Sequence, residues 1–263
     1  MRLALKDMFT AGNLLSGMAS VVLSMEYGVL YGALALFGSL FFDVTDGIVA
    51  RLTHRENQFG AEFDNVSDHM SYAVAPAFLL YAAYFPVFRY DYELTKFAAT
   101  ACSFSIAAVP LFCGSVRFAR FNTYKYDVSG CWLGFPRPAS AFAFAAIANS
   151  HFFHGPPALK LIGIGMVLIF GLLNMSTFPY LNHHHESGRV PPKVWFYFGS
   201  YVVCTGLVVF LSLGLKTLSP FYIGDWMFLC MGSYAFLGWI VLPAGVRERA
   251  RIAVQEAEAE VPA

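Results

Sequence analysis

Asp43 and Asp46 stand three residues apart and Asp64 and Asp68 four apart, each pair where an apolar run meets polar sequence. Helical spacings of three and four put each pair on one face. The first pair ends one apolar run and the second begins the next, so two consecutive antiparallel helices would bring all four carboxylates to one edge. Carboxylates so crowded repel one another, and near hydrocarbon an aspartate at a helix centre costs about 2.5–3.5 kcal/mol. The pattern therefore asks for a cationic partner. Oxygen ligands without His or Cys point to Mg²⁺, Mn²⁺ or Ca²⁺ rather than zinc. Four carboxylates can hold a pair of divalent ions in the arrangement that clamps phosphoryl groups during in-line displacement.

The neighbouring small residues fit a ligand beside those carboxylates. Gly47 and Ala50 follow the first pair and Gly60 precedes Asp64 by about one turn, so the backbone can be approached closely. Arg51 adds a guanidinium suited to phosphate. Each residue alone has an ordinary explanation: a solvated boundary aspartate, a helix-packing glycine, a membrane-anchoring arginine. Their conjunction is what carries the chemistry.

The elements that must position these residues are membrane helices. Hydrophobic residues make up 57% of the 263 and charged residues only 13%, against about 25% charged in a soluble domain; mean hydropathy is +0.56. A bilayer core of about 30 Å needs about 20 helical residues. Apolar runs of that order fall at 9–25, 28–50, 66–88, 97–117, 138–154, 158–180, 194–215 and 221–243. The fold expected is therefore all-α and polytopic, a single membrane domain with about eight transmembrane helices and a charged tail over 246–263. The fifth run is the weakest, being short and preceded by Pro136 and Pro138. The first run lacks a small-residue cleavage site, so a retained helix is expected rather than a signal peptide.

With eight spans and both termini cytoplasmic, one side holds Arg2, Lys6, Arg51, Arg55, Arg117, Arg120, Lys125, Arg137, Arg189, Lys193, Arg247, Arg249 and Arg251. The other holds Arg89, Lys96, Lys160 and Lys216. That asymmetry is the positive-inside pattern, and it puts the aspartates at the cytoplasmic edge. Zero net charge gives nucleic acid no reason to bind. The five cysteines, odd in number and set in apolar stretches, read as small buried hydrophobes. His183, His184 and His185 invite a metal reading, but a loop histidine run without placed partners is more often incidental.

Asp43, Asp46, Gly47, Ala50, Arg51, Gly60, Asp64 and Asp68 together match every fixed position of D-x-x-D-G-x-x-A-R, eight residues, then G-x-x-x-D-x-x-x-D. The chain thereby resembles the CDP-alcohol phosphotransferase family. Further segments look like its phosphatidylserine synthase branch. Asp68 to Ala77 is similar to D-x-x-S-F-G-V-A-P-A, Cys113 to Asn122 to C-G-x-x-R-L-A-R-F-N, Gly134 to Ala139 to G-L-P-x-P-A, and Thr10 to Asn13 to T-x-x-N. The likeness covers about the first 145 residues. Lys6-Asp7 depart from it, standing where the branch has Pro-Asn.

The resemblance implies a phosphatidyl transfer from CDP-diacylglycerol to L-serine in a prokaryotic cell (inner) membrane, with the site facing the cytoplasm. It implies two divalent cations, Mg²⁺ or Mn²⁺, one on Asp43, Asp46 and Asp64 and the other on Asp43, Asp64 and Asp68. Asp68 would be the general base; Asn13, Gly47, Ala50, Arg51 and Gly60 would line the CDP pocket. Arg117, Arg120 and Asn122 either grip the serine carboxylate or meet lipid phosphate. A homodimer is a family expectation. Rival readings are a related transferase using glycerol 3-phosphate or an ether-lipid donor, and an ion-coupled transporter, whose site would favour broken helices at the bilayer midplane.

Overall fold

The computed structural model describes residues 5–53, 58–124, 128, 130–182 and 192–259; His183, His184 and His185 lie outside them. Helix α1 (Leu5–Glu26) ends at Gly28, whose φ of 107° suits glycine alone. The N–H groups of Tyr27 and Gly28 both donate to the Leu23 carbonyl at 3.0 Å, closing the helix end and turning the chain back into α2 (Val29–Thr53). The inner face of α1 is small and polar, with Thr10, Asn13, Gly17, Ser20 and Ser24 buried, while Met8, Leu15, Met18 and Val22 are exposed. Such a helix is inside out for water and correct for lipid, where small inward residues let backbones approach.

Helix α3 (Gln58–His69) passes through a π turn at Met70–Val74 into α4 (Ala75–Pro86), and a second π turn at Val87–Asp91 ends that rod. Helix α5 (Lys96–Tyr124) returns. A short ribbon pairs β1 (Cys131–Leu133) antiparallel with β2 (Pro179–Leu181); between them come α6 (Arg137–Asn149) and α7 (Pro157–Met175). Helix α8 (Pro192–Val209) ends in a π turn at Phe210–Gly214 and is followed by α9 (Phe221–Val241) and α10 (Ala244–Ala259). Helix α6 is the hub: every residue from Ser140 to Asn149 is buried, against α9, α7, α2 and α4.

Among the described residues, five helices are long and apolar enough to cross a membrane: Leu5–Glu26, Val29–Leu52, Gln58–Asp91, Lys96–Thr123 and Pro157–Met175. The protein is an all-α, polytopic membrane protein, and the expected count of eight goes beyond these five. The 13 residues of α6 extend about 20 Å at 1.5 Å per residue, short of a hydrocarbon core of about 30 Å. Successive passes nevertheless alternate in direction. At the end away from the aspartates, Lys160 Nζ meets Asp91 at 2.5 Å, His151 Nδ1 meets Asp225 at 2.6 Å, and Asn149 donates to the Val29 carbonyl at 3.4 Å. The charged tail is helical as α10, with Val246 and Ala250 buried. All five cysteines are free, with Cys113, Cys131 and Cys230 buried.

Candidate functional site

Asp43, Asp64 and Asp68 converge, each offering a carboxylate oxygen within 4.8 Å of the others. The last turns of α2 and the body of α3 supply them, as the helical spacing predicts. Asp46, also on α2, stands outside that trio and its Oδ2 accepts a hydrogen bond from Thr10 Oγ1 at 2.9 Å.

Around the carboxylates runs a set of donors of which the sequence gives only Asn13 a role, at CDP. Tyr72 Oη donates to Asp43 at 2.8 Å. Asn13 Nδ2 donates to Asp68 Oδ1 at 3.1 Å, and Arg137 Nη2 pairs with Asp68 Oδ2 at 3.1 Å. Ser71 Oγ in turn donates to Asn13 Oδ1 at 2.7 Å, and Ser67 Oγ to the Thr10 carbonyl at 2.9 Å. Ser71 and Tyr72 both lie in the π turn after Asp68, a feature that recurs at functional sites; here one side chain braces α1 and the next braces α2. Asp64 Oδ1 is buried and has no hydrogen-bond partner among the described residues. An orphaned carboxylate oxygen between two other carboxylates, with hard donors only, fits a divalent oxophilic cation.

The residues expected at CDP divide. Asn13 is fully buried and its amide holds Asp68. Among the described residues a Cβ on Gly47 would find only Arg51 Nη1, 3.6 Å away, so this face stays open beneath the guanidinium. Gly60 is covered: a Cβ there would fall 2.5 Å from Lys6 Cε and 2.9 Å from Asp7 Oδ1. The two residues that depart from the branch pattern are thus the ones packed on Gly60. Ala50 is half-buried.

The arginines expected at the acceptor are tied to backbone. Arg117 Nη1 donates to the Leu133 carbonyl at 2.5 Å; Arg120 donates to the Met175 and Ser176 carbonyls at 2.5 and 2.7 Å. Met175 and Ser176 end α7, where carbonyls lack helical partners and a cation is favourable. Gly134, at φ 73°, completes this junction: a Cβ would lie 2.5 Å from the Ser176 oxygen and 2.7 Å from Arg117 Nη1.

A cavity of about 750 Å³ opens from the carboxylates, within the range of small-ligand sites. Asp43, Asn65, Asp68, Arg117, Asn122 and Arg137 line its polar end, and Phe37, Leu40, Phe142, Met227 and Met231 its apolar wall. Asn13, Gly47, Ala50, Arg51, Gly60 and Arg120 do not line it. Among the polar residues of this cavity Arg137 has no site role in the sequence motifs; its signal there is a charge at the variable position of the G-L-P-x-P-A element, one membrane-edge cation among many.

The sequence profile described as CDP-alcohol phosphatidyltransferase matches residues 3–180. The chain is 29% identical over 209 residues to the CDP-diacylglycerol–serine O-phosphatidyltransferase of Methanocaldococcus jannaschii, covering 78% of this chain and 84% of that protein. It is 29% identical over 181 residues to the enzyme of the same name from Helicobacter pylori strain J99, covering 67% and 71%. It is 29% identical over 170 residues to the archaetidylserine synthase of Methanothermobacter thermautotrophicus, covering 64% and 67%.

Proposed function

Because the chain belongs to the CDP-alcohol phosphatidyltransferase family, we propose that it transfers the phosphatidyl group of CDP-diacylglycerol to the hydroxyl of L-serine and releases CMP. The observation that carries this reading is the convergence of Asp43, Asp64 and Asp68, two of which, Asp43 and Asp68, line the head of a cavity with an apolar wall. A lipid donor keeps its tails in the bilayer while its nucleotide and a small alcohol come from water, so the chemistry belongs at such an interface. The names of the relatives support serine as the acceptor.

Asp43, Asp46 and Asp64 would hold one Mg²⁺ or Mn²⁺ and Asp43, Asp64 and Asp68 a second. Bound there, the ions would supply charge neutralisation for the donor's pyrophosphate and the departing CMP. The chain's own residues do the rest. Asp68 accepts the proton of the attacking hydroxyl, held in one orientation by Asn13, which Ser71 holds in turn. Tyr72 fixes Asp43 and Thr10 fixes Asp46. Gly47 and Ala50 leave the α2 face open to the nucleotide, and Arg51 meets its phosphates. The site faces the cytoplasm of a prokaryotic cell membrane with both termini on that side. Arg51, Arg117, Arg120 and Arg137 at the aspartate end, against Arg89, Lys96, Lys160 and Lys216 at the other, support that orientation.

Purified protein given CDP-diacylglycerol, Mn²⁺ or Mg²⁺ and a panel of alcohols tests the reading. L-serine should drive CMP release and yield the phosphatidylserine product. Release that is no faster with serine than without acceptor, or that prefers glycerol 3-phosphate, would overturn it.

A further inference from the structure

Arg137 opens α6 at the polar end of the cavity, with its side chain 17% exposed. Phe118 packs under the guanidinium, 5.0 Å from Cζ to the ring centroid, which holds the planar group in place. Nη2 is on Asp68, but Nη1 is buried without a hydrogen-bond partner among the described residues. An unsatisfied buried donor on a charged group is costly, and a turn of the guanidinium toward the cavity it lines would give that nitrogen an acceptor that arrives with substrate. The positive end of the α6 dipole faces the same space, since Pro136, Arg137, Pro138 and Ala139 all line the cavity.

We infer that Arg137 is the acceptor-selecting residue, binding the carboxylate of the amino-acid acceptor while its other nitrogen contacts Asp68. This rests on the serine reading above. In serine the hydroxyl-bearing carbon is bonded directly to the carbon that carries the carboxylate. A guanidinium that touches the proton-accepting aspartate with one nitrogen and the carboxylate with the other therefore delivers the hydroxyl to that aspartate. Arg117 and Arg120, the arginines the sequence suggested for this task, have nitrogens engaged on backbone carbonyls of β1 and the end of α7. The donor's phosphates belong on the other flank of the carboxylates, where Gly47 and Arg51 stand outside the cavity lining.

The test uses the full chain in detergent with CDP-diacylglycerol and Mn²⁺. CMP release by the parent with and without L-serine comes first; its absence defeats the serine reading itself, whatever Arg137 does. Given that rate, Arg137→Gln should raise the serine KM about 10- to 150-fold, the loss of a hydrogen bond to a charged group. The KM for CDP-diacylglycerol should stay within about twofold. The parent should prefer L-serine to serinol, which has the hydroxyl and amine but no carboxylate, and Arg137→Gln should narrow that preference. Arg137→Lys, which keeps the charge but not the planar fork, should fall between, and it carries the test if the Gln variant does not fold. A raised CDP-diacylglycerol KM with serine KM unchanged would place the guanidinium on the donor phosphate and overturn the assignment. An equal fall in kcat for serine and serinol, with both KM values unchanged, would make Arg137 only a positioner of Asp68 and overturn it as well.

Discussion

Asp64 differs from Asp43, Asp46 and Asp68 in having no side-chain hydrogen bond that fixes it among the described residues: its Oδ1 is buried and bare. Asp64→Asn keeps the shape and removes the charge, so it should abolish CMP release while leaving the thermal melt of the purified protein near that of the parent. Turnover close to normal would sink the metal-ligand role. Tyr72→Phe is subtler. It deletes the hydroxyl on Asp43 and should raise the Mn²⁺ concentration for half-maximal turnover about tenfold, the worth of a hydrogen bond to a charged group. A metal titration that superimposes on the parent's would remove Tyr72 from the positioning set. The four aspartates were legible because spacings of three and four are local facts of a helix. Their bracing was not, because Thr10–Asp46, Asn13–Ser71, Tyr72–Asp43 and Arg137–Asp68 are 36, 58, 29 and 69 residues apart. Tyr72 did leave a trace: it stands where the branch motif has Phe.

Helices α5 and α7 meet the ribbon at one congested corner, and Gly134 is its pivot. Gly134→Ala would force a Cβ to within 2.5 Å of a carbonyl oxygen at a positive φ. It should destabilise the protein by about 1–3 kcal/mol, seen as a lower melting temperature in detergent. A melt unchanged by the substitution would show that the corner yields freely. The sequence located the helices well at some ends and poorly at others, for physical reasons. The run 28–50 became Val29–Thr53 and 97–117 became Lys96–Tyr124, since helical hydrogen bonds persist past the point where hydropathy falls. The third helix begins at Gln58 rather than 66, because Glu62, Asp64 and the other polar residues there depress the hydropathy of a segment that is nonetheless helical. The fifth run, 138–154, stops at Asn149, where Ser150 Oγ donates to the Ile147 carbonyl and accepts from the Phe153 N–H. An apolar run alone does not separate a short buried helix from a spanning one. The π turn at Met70–Val74 has no hydropathy signal at all.

Across the whole molecule the ion pairs that join separate segments among the described residues sort to two ends, with Arg137–Asp68 at one and the Asp91–Lys160 and His151–Asp225 pairs at the other. Impermeant thiol labelling of intact cells should therefore reach Lys96→Cys and not Thr123→Cys, in a background whose native cysteines do not react. The reverse pattern would invert the topology. The cavity adds something that no single residue shows. Its head is bounded by carboxylates and arginines, its wall by the apolar side chains of Phe37, Leu40, Met227 and Met231, so its two reactants reach it from media that are measured differently. One is counted as a fraction of the lipid surface, the other as moles per litre of water. Adding inert detergent at constant protein, donor and serine should slow the reaction by thinning the donor in its two-dimensional phase, while the serine concentration for half-maximal rate stays where it was. The enzyme's working environment is then set by how crowded the bilayer is with donor, and only on the acceptor side by ordinary solution concentration.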